Sequence, residues 1–169
     1  MNITAGMYKG RKINAPDEKI SRPTLSKVRM GVFNALYSIL GNFDGKSFLD
    51  LFGGSGVMGL EALSRGFSSV KVCEKNPQAA AVIRQNYANL GVKPDLYTGD
   101  SIKFIQNVNE IFDVIYIDPP YYEGIYEKIL PHISGKITVV EHPEKINLSG
   151  YNIFKQKKYG DKIISFLSK

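Results

Sequence analysis

Residues 114–126 read VIYIDPPYYEGIY. A run of β-forming hydrophobics passes straight into Asp118, Pro119, Pro120 and Tyr121, so a strand ends in a carboxylate, two residues of fixed φ and an aromatic ring. A loop that had only to turn would use Gly or Asn. This one keeps a charge, its carbonyls and a ring in place, which is what holding a polar group still requires.

A second cluster lies upstream in LDLFGGSGVMGLEALSRG (49–66). Gly54-Ser55-Gly56-Val57-Met58-Gly59 fits G-x-G-x-x-G between a strand and a helix, where glycines let a ligand approach the backbone and the helix start offers free N–H groups. Asp50 ends the strand before the loop, Glu74 ends the next strand and Asp100 follows the third, in TGDSI. Glu74 is placed to accept from ribose hydroxyls, as in a dinucleotide site. Asp50 argues against a pyrophosphate, which it would repel, and for an ammonium. S-adenosylmethionine carries a ribose, an amino group and no phosphate. Its candidate ligands are Asp50, Phe52, Gly53, Gly54, Ser55, Gly56, Glu74 and Lys75, with Asp100 and Ser101 toward the adenine amino group.

The elements that position these residues alternate. A helix is expected within 20–40, its apolar positions Leu25, Val28, Val32, Phe33, Leu36, Ile39 and Leu40 at helical spacing, Thr24 as its cap, and Lys27 and Arg29 on its polar side. The segment 2–16 reads as a small β-hairpin broken by Gly6 and Gly10. From residue 46, KSFLDLF, SVKVCE, DLYTGD, FDVIYI and KITVVEH read as strands separated by helices, apolar enough for a parallel sheet covered on both faces. After Gly150 two strands flank a Gly160-Asp161 turn with no helix between them. The expected fold is α/β: a doubly wound, mostly parallel Rossmann-like sheet with a C-terminal antiparallel hairpin. Residues 1–45 form a basic extension packed on a main domain of residues 46–169.

Composition narrows the classes. The 169 residues suit one domain, and a single cysteine, Cys73, excludes a disulfide framework and a cysteine-cluster metal site. His132 and His142 lack metal-ligand spacing, so no metal is expected. No apolar run spans a membrane and MNITAGMYKGRKI has no export-signal core, so a cytoplasmic protein is expected. Of the net +6, residues 1–46 hold eight Lys/Arg against three Asp/Glu and residues 151–169 hold five against one, while the middle carries −3. Basic ends around an acidic centre suit a polyanionic partner or a merely solvated surface.

DLFGGSG, an acid ending the second strand, GD after the third, DPPY after the fourth, and the N-terminal RPT followed by VFNAL together resemble the bacterial 16S ribosomal RNA guanine-N2 methyltransferase family. These are class I S-adenosylmethionine-dependent enzymes, and the likeness runs from Gly6 to the Gly160-Asp161 turn. The chain looks like a compact member. The resemblance implies methyl transfer to the exocyclic N2 of a guanine in 16S rRNA, at position 966 in the family's usual rRNA numbering, within an assembled small subunit and by a monomer. Asp118 and a carbonyl of Pro119-Pro120 would accept the two N–H bonds of the amine while Tyr121 stacks on the base. Lys9, Arg11, Lys12, Arg22, Thr24, Lys27 and Arg29 would touch RNA or close over the cofactor, and Glu141 would line the pocket. The rival readings are an amine methyltransferase acting on DNA or protein glutamine, an NAD-dependent oxidoreductase and a non-catalytic RNA-binding factor. The DNA enzymes of the first usually carry a target-recognition domain, for which no room is expected in this chain. The second expects a substrate domain, and the third a degenerate site.

Overall fold

The computed structural model describes residues 1–20, 23–122 and 124–168. The elements in chain order are α1 (Ser26–Leu40), β1 (Ser47–Asp50), α2 (Val57–Ser64), β2 (Ser69–Glu74), α3 (Pro77–Asn89), β3 (Asp95–Thr98), α4 (Ser101–Asn107), β4 (Val114–Ile117), α5 (Ile125–Ile129), β5 (Ile137–His142), β6 (Asn152–Tyr159) and β7 (Lys162–Ser168). A single 3-10 turn, Leu130–His132, extends α5.

One seven-stranded sheet runs β3-β2-β1-β4-β5-β7-β6. β1 to β5 pair in parallel, β7 pairs antiparallel with β5, and β6 closes the edge antiparallel to β7. This is the expected doubly wound sheet with its terminal hairpin. Every residue of β4 and β5 is buried, as continuous apolar strands covered on both faces must be. One face packs against α1 and α2 through Val32, Phe33, Leu36, Phe48, Leu60 and Tyr116. The other packs against α4 and α5 through Leu49, Ile105, Ile115, Ile117, Ile125 and Ile129. The chain reverses direction across the sheet between β1 and β4, so their carboxyl ends diverge there into a crevice.

The expected N-terminal hairpin forms, and two other local expectations differ from the structure. The N-terminal hairpin is short: Asn2 bridges Lys12 in antiparallel fashion, the Ile3 and Ile13 amides donate to the Arg11 and Met1 carbonyls at 3.0 and 2.7 Å, and Gly6 and Gly10 take positive φ where the chain turns. Its anchors Ile3 and Ile13 are buried in the same core as α1. The helix after Pro23 starts at Ser26 with Leu25 in the cap position and no side-chain cap. Thr24 therefore caps nothing; its carbonyl accepts from Arg29 Nε at 3.1 Å. Arg29, expected on the polar side, is buried.

Candidate functional site

The cofactor-type end of the crevice is built by the turn after β1. Gly56, at φ 77°, starts α2 in a left-handed conformation that a side chain would strain. A Cβ on Gly59 would lie 2.5 Å from the Tyr87 hydroxyl, so the third glycine of the motif is there for helix-to-sheet contact. Glu74 is held at the end of β2 by two backbone donors, Gly54 N–H at 2.8 Å and Asn76 N–H at 2.7 Å. Each bond uses one lone pair per oxygen, leaving others toward the cavity. Asn86 of α3, which sequence reasoning missed, donates to the Ser55 carbonyl at 2.9 Å and exchanges bonds with the Asn14 backbone. The glycine turn is thereby tied to the N-terminal segment.

A cavity of about 630 Å³ opens here, a size suited to a nucleoside-bearing ligand. Phe52, Gly54, Glu74, Lys75, Asp100 and Ser101 line it on one side, and Asp118, Pro119, Pro120 and Tyr121 on the other. Asp100 also caps α4, accepting from the Ile102 and Lys103 amides. Burial works against its charge, but those amides and Lys75, 3.3 Å away, outweigh it and hold the carboxyl below its usual range. Cys73 touches the cavity as a buried thiol raised by burial and nearby carboxylates, and so is inert.

Asp50 is only 1% exposed, and neither carboxylate oxygen completes a hydrogen bond. Burial pushes its pKa up to about 7; the nearby Phe52 amide opposes the shift, and the charges of Asp118 and Glu74 add to it. It opens into a second cavity, of about 40 Å³, shared with Gly53, Ser55, Thr24, Tyr116 and Asp118. A buried carboxylate without a partner lacks a cation, and an amino group brought by a ligand would supply one. The residues therefore fit S-adenosylmethionine: an acid for its ammonium and an oriented acid for its ribose, while the lysines lining the cavity among the described residues, Lys75 and Lys162, are each paired with carboxylates.

At the other end, Pro119 is buried while Tyr121 and Tyr122 stand 52% and 49% exposed, presenting rings to solvent. Asp118 lies 3.8 Å from Lys162 Nζ, yet its carboxyl is raised. Burial is the largest cause, Glu141 adds to it, and Lys162 opposes both from too far away to win. Glu141 lies buried beside Asp118 rather than in the wall of the cavity, bonded to the Tyr116 hydroxyl at 2.8 Å and in direct contact with the Lys162 ammonium. Lys162 itself lines the cavity. Nothing in the local sequence near Lys162 pointed to this placement.

The basic residues do not form one group. Lys9, Lys12 and Lys27 are exposed, and Arg11 is exposed while donating to the Asn89 carbonyl at 2.7 Å. Thr24 lines the smaller cavity. Arg22 lies outside the described residues. Arg29 must be withdrawn as an RNA or lid contact: its guanidinium is 1% exposed and paired with Glu61 at 2.8 Å. Among the described residues no cluster of three metal-ligating side chains occurs, and no helix is long and apolar enough to cross a membrane.

An acid-ended Rossmann-like sheet with a glycine turn after β1 and D-P-P-Y after β4 defines a methyltransferase of the S-adenosylmethionine-dependent class. The model of the family described as Conserved hypothetical protein 95 matches residues 1–168, and the chain belongs to that family, the 16S rRNA methyltransferases that its sequence resembles. Bacillus subtilis YlbH is 31% identical over 160 residues, covering 88% of this chain and 85% of the relative. Ribosomal RNA small subunit methyltransferase D of Escherichia coli (strain K12) is 29% identical over 131 residues, 77% of this chain and 65% of that protein. The structure of Escherichia coli yhhF superposes with a TM-score of 0.84 at 24% identity, covering 100% of this chain and 97% of the other, which establishes the shared fold.

Proposed function

We propose that this protein transfers a methyl group from S-adenosylmethionine to the exocyclic N2 of one guanine in small-subunit ribosomal RNA, acting as a cytoplasmic monomer on an assembled subunit. The observation that carries the reading is the partnerless Asp50 carboxylate opening into the same small cavity as Asp118. On this reading an acid that receives an ammonium stands next to the acceptor of the D-P-P-Y loop. The ribosomal substrate is supported by the relatives named Ribosomal RNA small subunit methyltransferase D.

Bound across the glycine turn, the cofactor supplies an electrophilic methyl group. The chain does the rest by position. Glu74, oriented by the Gly54 and Asn76 amides, accepts from ribose hydroxyls, while Asp50 receives the amino group. A guanine amine is a weak nucleophile because its lone pair is delocalised into the ring. Asp118 and a carbonyl of the Pro119-Pro120 segment accept its two N–H bonds, drawing electron density onto nitrogen and aiming it. Because proline fixes φ, this aim costs little further ordering. Tyr121 stacks on the extruded base. Once the nitrogen carries the methyl group it is positive, and Asp118 takes the proton it sheds. Preorganised dipoles of this kind supply several kcal/mol of barrier reduction. The exposed Lys9, Arg11, Lys12 and Lys27 contact phosphates as the subunit docks.

The test is transfer from labelled S-adenosylmethionine to small subunits lacking the modification, followed by nucleoside analysis, with Asp118→Ala alongside. N2-methylguanosine made by the wild type and not by the variant is the expected result. Cofactor binding without transfer would move the substrate to another amine.

A further inference from the structure

Glu141 and Lys162 have no part in the reaction as described, yet they meet at its reacting end. Ile117 pairs with Val140 in parallel register, so Asp118 and Glu141 follow on adjacent strands and leave them side by side. Two neighbouring carboxylates, Glu141 buried and Asp118 partly so, repel, and neither parallel strand offers a cation there. β7 arrives from the opposite direction. Its Ile164 pairs with Glu141, and Lys162, two residues earlier on the same face, reaches back to both acids. Its ammonium touches Glu141 Oε1, lies 3.8 Å from Asp118 Oδ1, and sits 5.6 Å from the centre of the Tyr121 ring. The Tyr116 hydroxyl occupies the other oxygen of Glu141 at 2.8 Å, so the anchor of Lys162 is itself fixed.

We propose that Lys162 is a positioning residue for Asp118: anchored by Glu141, its ammonium favours the ionised Asp118 carboxylate against its buried surroundings and holds it aimed as acceptor of the target amine. This rests on the methyl-transfer reading above. The groups facing Asp118 are Glu141 from β5, Asp50 from β1, Tyr116 from β4, Tyr121 from the loop, Tyr126 from α5 and Lys162 from β7. Lys162 is the one cation among them in the described residues. Burial and Glu141 already raise the Asp118 carboxyl against the pull of Lys162; without that ammonium it would rise further, and more of Asp118 would be protonated near neutral pH, presenting a donor where the amine needs an acceptor. A lysine that served only to neutralise Glu141 would have no bearing on Asp118, and the experiment separates the two roles.

The variants are Lys162→Met, Lys162→Arg and Glu141→Gln, with kcat and KM for small subunits followed against pH. Lys162→Met moves the acid limb of kcat to higher pH by about one unit, a drop of about three- to fivefold just above neutrality that approaches about tenfold toward pH 6 and disappears at alkaline pH, with KM for the subunit little changed. Lys162→Arg brings the limb back toward wild type. Glu141→Gln removes a negative charge from beside Asp118 and moves the limb the other way, an opposite sign that misfolding would not produce. Carboxyl carbon NMR titration of Asp118 in the enzyme alone is expected to show the same two shifts. An unmoved limb and titration in Lys162→Met would overturn the proposal. So would a raised KM at unchanged kcat, which would make Lys162 an RNA phosphate contact. If the wild type does not methylate subunits, or Asp118→Ala does, the methyl-transfer reading fails, while the titration still decides whether Lys162 governs Asp118.

Discussion

Arg29 of α1 and Glu61 of α2 form an ion pair of 2.8 Å with both side chains essentially out of solvent, at 1% and 0% exposure. Around it, Glu61 also accepts from the Thr4 amide and hydroxyl, both at 2.8 Å, and from Arg65 Nε at 3.2 Å. Arg29 reaches the Asn2 and Thr24 carbonyls and the Ser26 hydroxyl. The basic N-terminal extension is thus locked to the helix that begins at the glycine turn, which holds Pro23 and Thr24 over the small cavity beside Asp50.

Breaking one half of this pair leaves the other buried and uncompensated. Glu61→Ala is expected to cost about 3–5 kcal/mol of stability, and adding Arg29→Met is expected to cost less than the sum of the two single changes. Urea unfolding midpoints of the four species measure both. A loss below about 1 kcal/mol for Glu61→Ala would mean that the pair is not the lock.

Asp50 gives the protein an unusual dependence on pH. Its folded pKa of about 7 lies above its unfolded value near 3.8, so the folded state binds the extra proton between them. The site therefore costs stability increasingly as pH rises from about 4 to about 7, and carries the full cost above that. Asp50→Asn is expected to raise the melting temperature at pH 8 and to leave it nearly unchanged at pH 4, while weakening cofactor binding. In the wild type, S-adenosylmethionine affinity measured by calorimetry falls toward tenfold per pH unit below about 7, as the carboxylate that receives the ammonium is neutralised.

Gly59 is defined by contact. A methyl group there would meet the Tyr87 hydroxyl at 2.5 Å and Val72 at 3.0 Å. Gly59→Ala is expected to destabilise by about 1–3 kcal/mol and to raise KM for the cofactor, since α2 must shift and carry the glycine turn with it. Thermal unfolding and initial rates check the two effects, and an unchanged melting temperature would show that α2 moves aside freely.

Tyr121 is half exposed with its ring over the mouth of the site. Tyr121→Ala is expected to reduce kcat/KM for the ribosomal substrate by about ten- to a hundredfold, the worth of one base-to-ring stack, and Tyr121→Phe to retain most of the activity. Cofactor affinity, measured separately, is expected to change little if the ring serves the base, as proposed. A cofactor defect as large as the kinetic one would count against stacking.

Much of the architecture was legible in the sequence. Strand and helix periodicities are local properties, and so is the hairpin turn at Gly160-Asp161. Parallel strands buried on both faces read as unbroken apolar runs, as VIYI does, and the acids Asp50 and Glu74 stand at strand ends because a folded sheet exposes only its ends to ligand. By themselves these features determined the sheet, its crevice and the residues beside it. The tertiary structure alone decided how those residues are charged and held. Arg29 fell at a position that helical spacing makes polar, and it is buried because its partner stands 32 residues away on another helix. Lys162 looked like one more basic residue at a hairpin, and it enters the site because antiparallel register sets β7 against Glu141, 21 residues earlier. The isolation of Asp50 depends on the packing of every element around it. Periodicity records which side of an element faces inward, whereas the charge state of a buried acid depends on what the rest of the chain brings within a few ångströms of it.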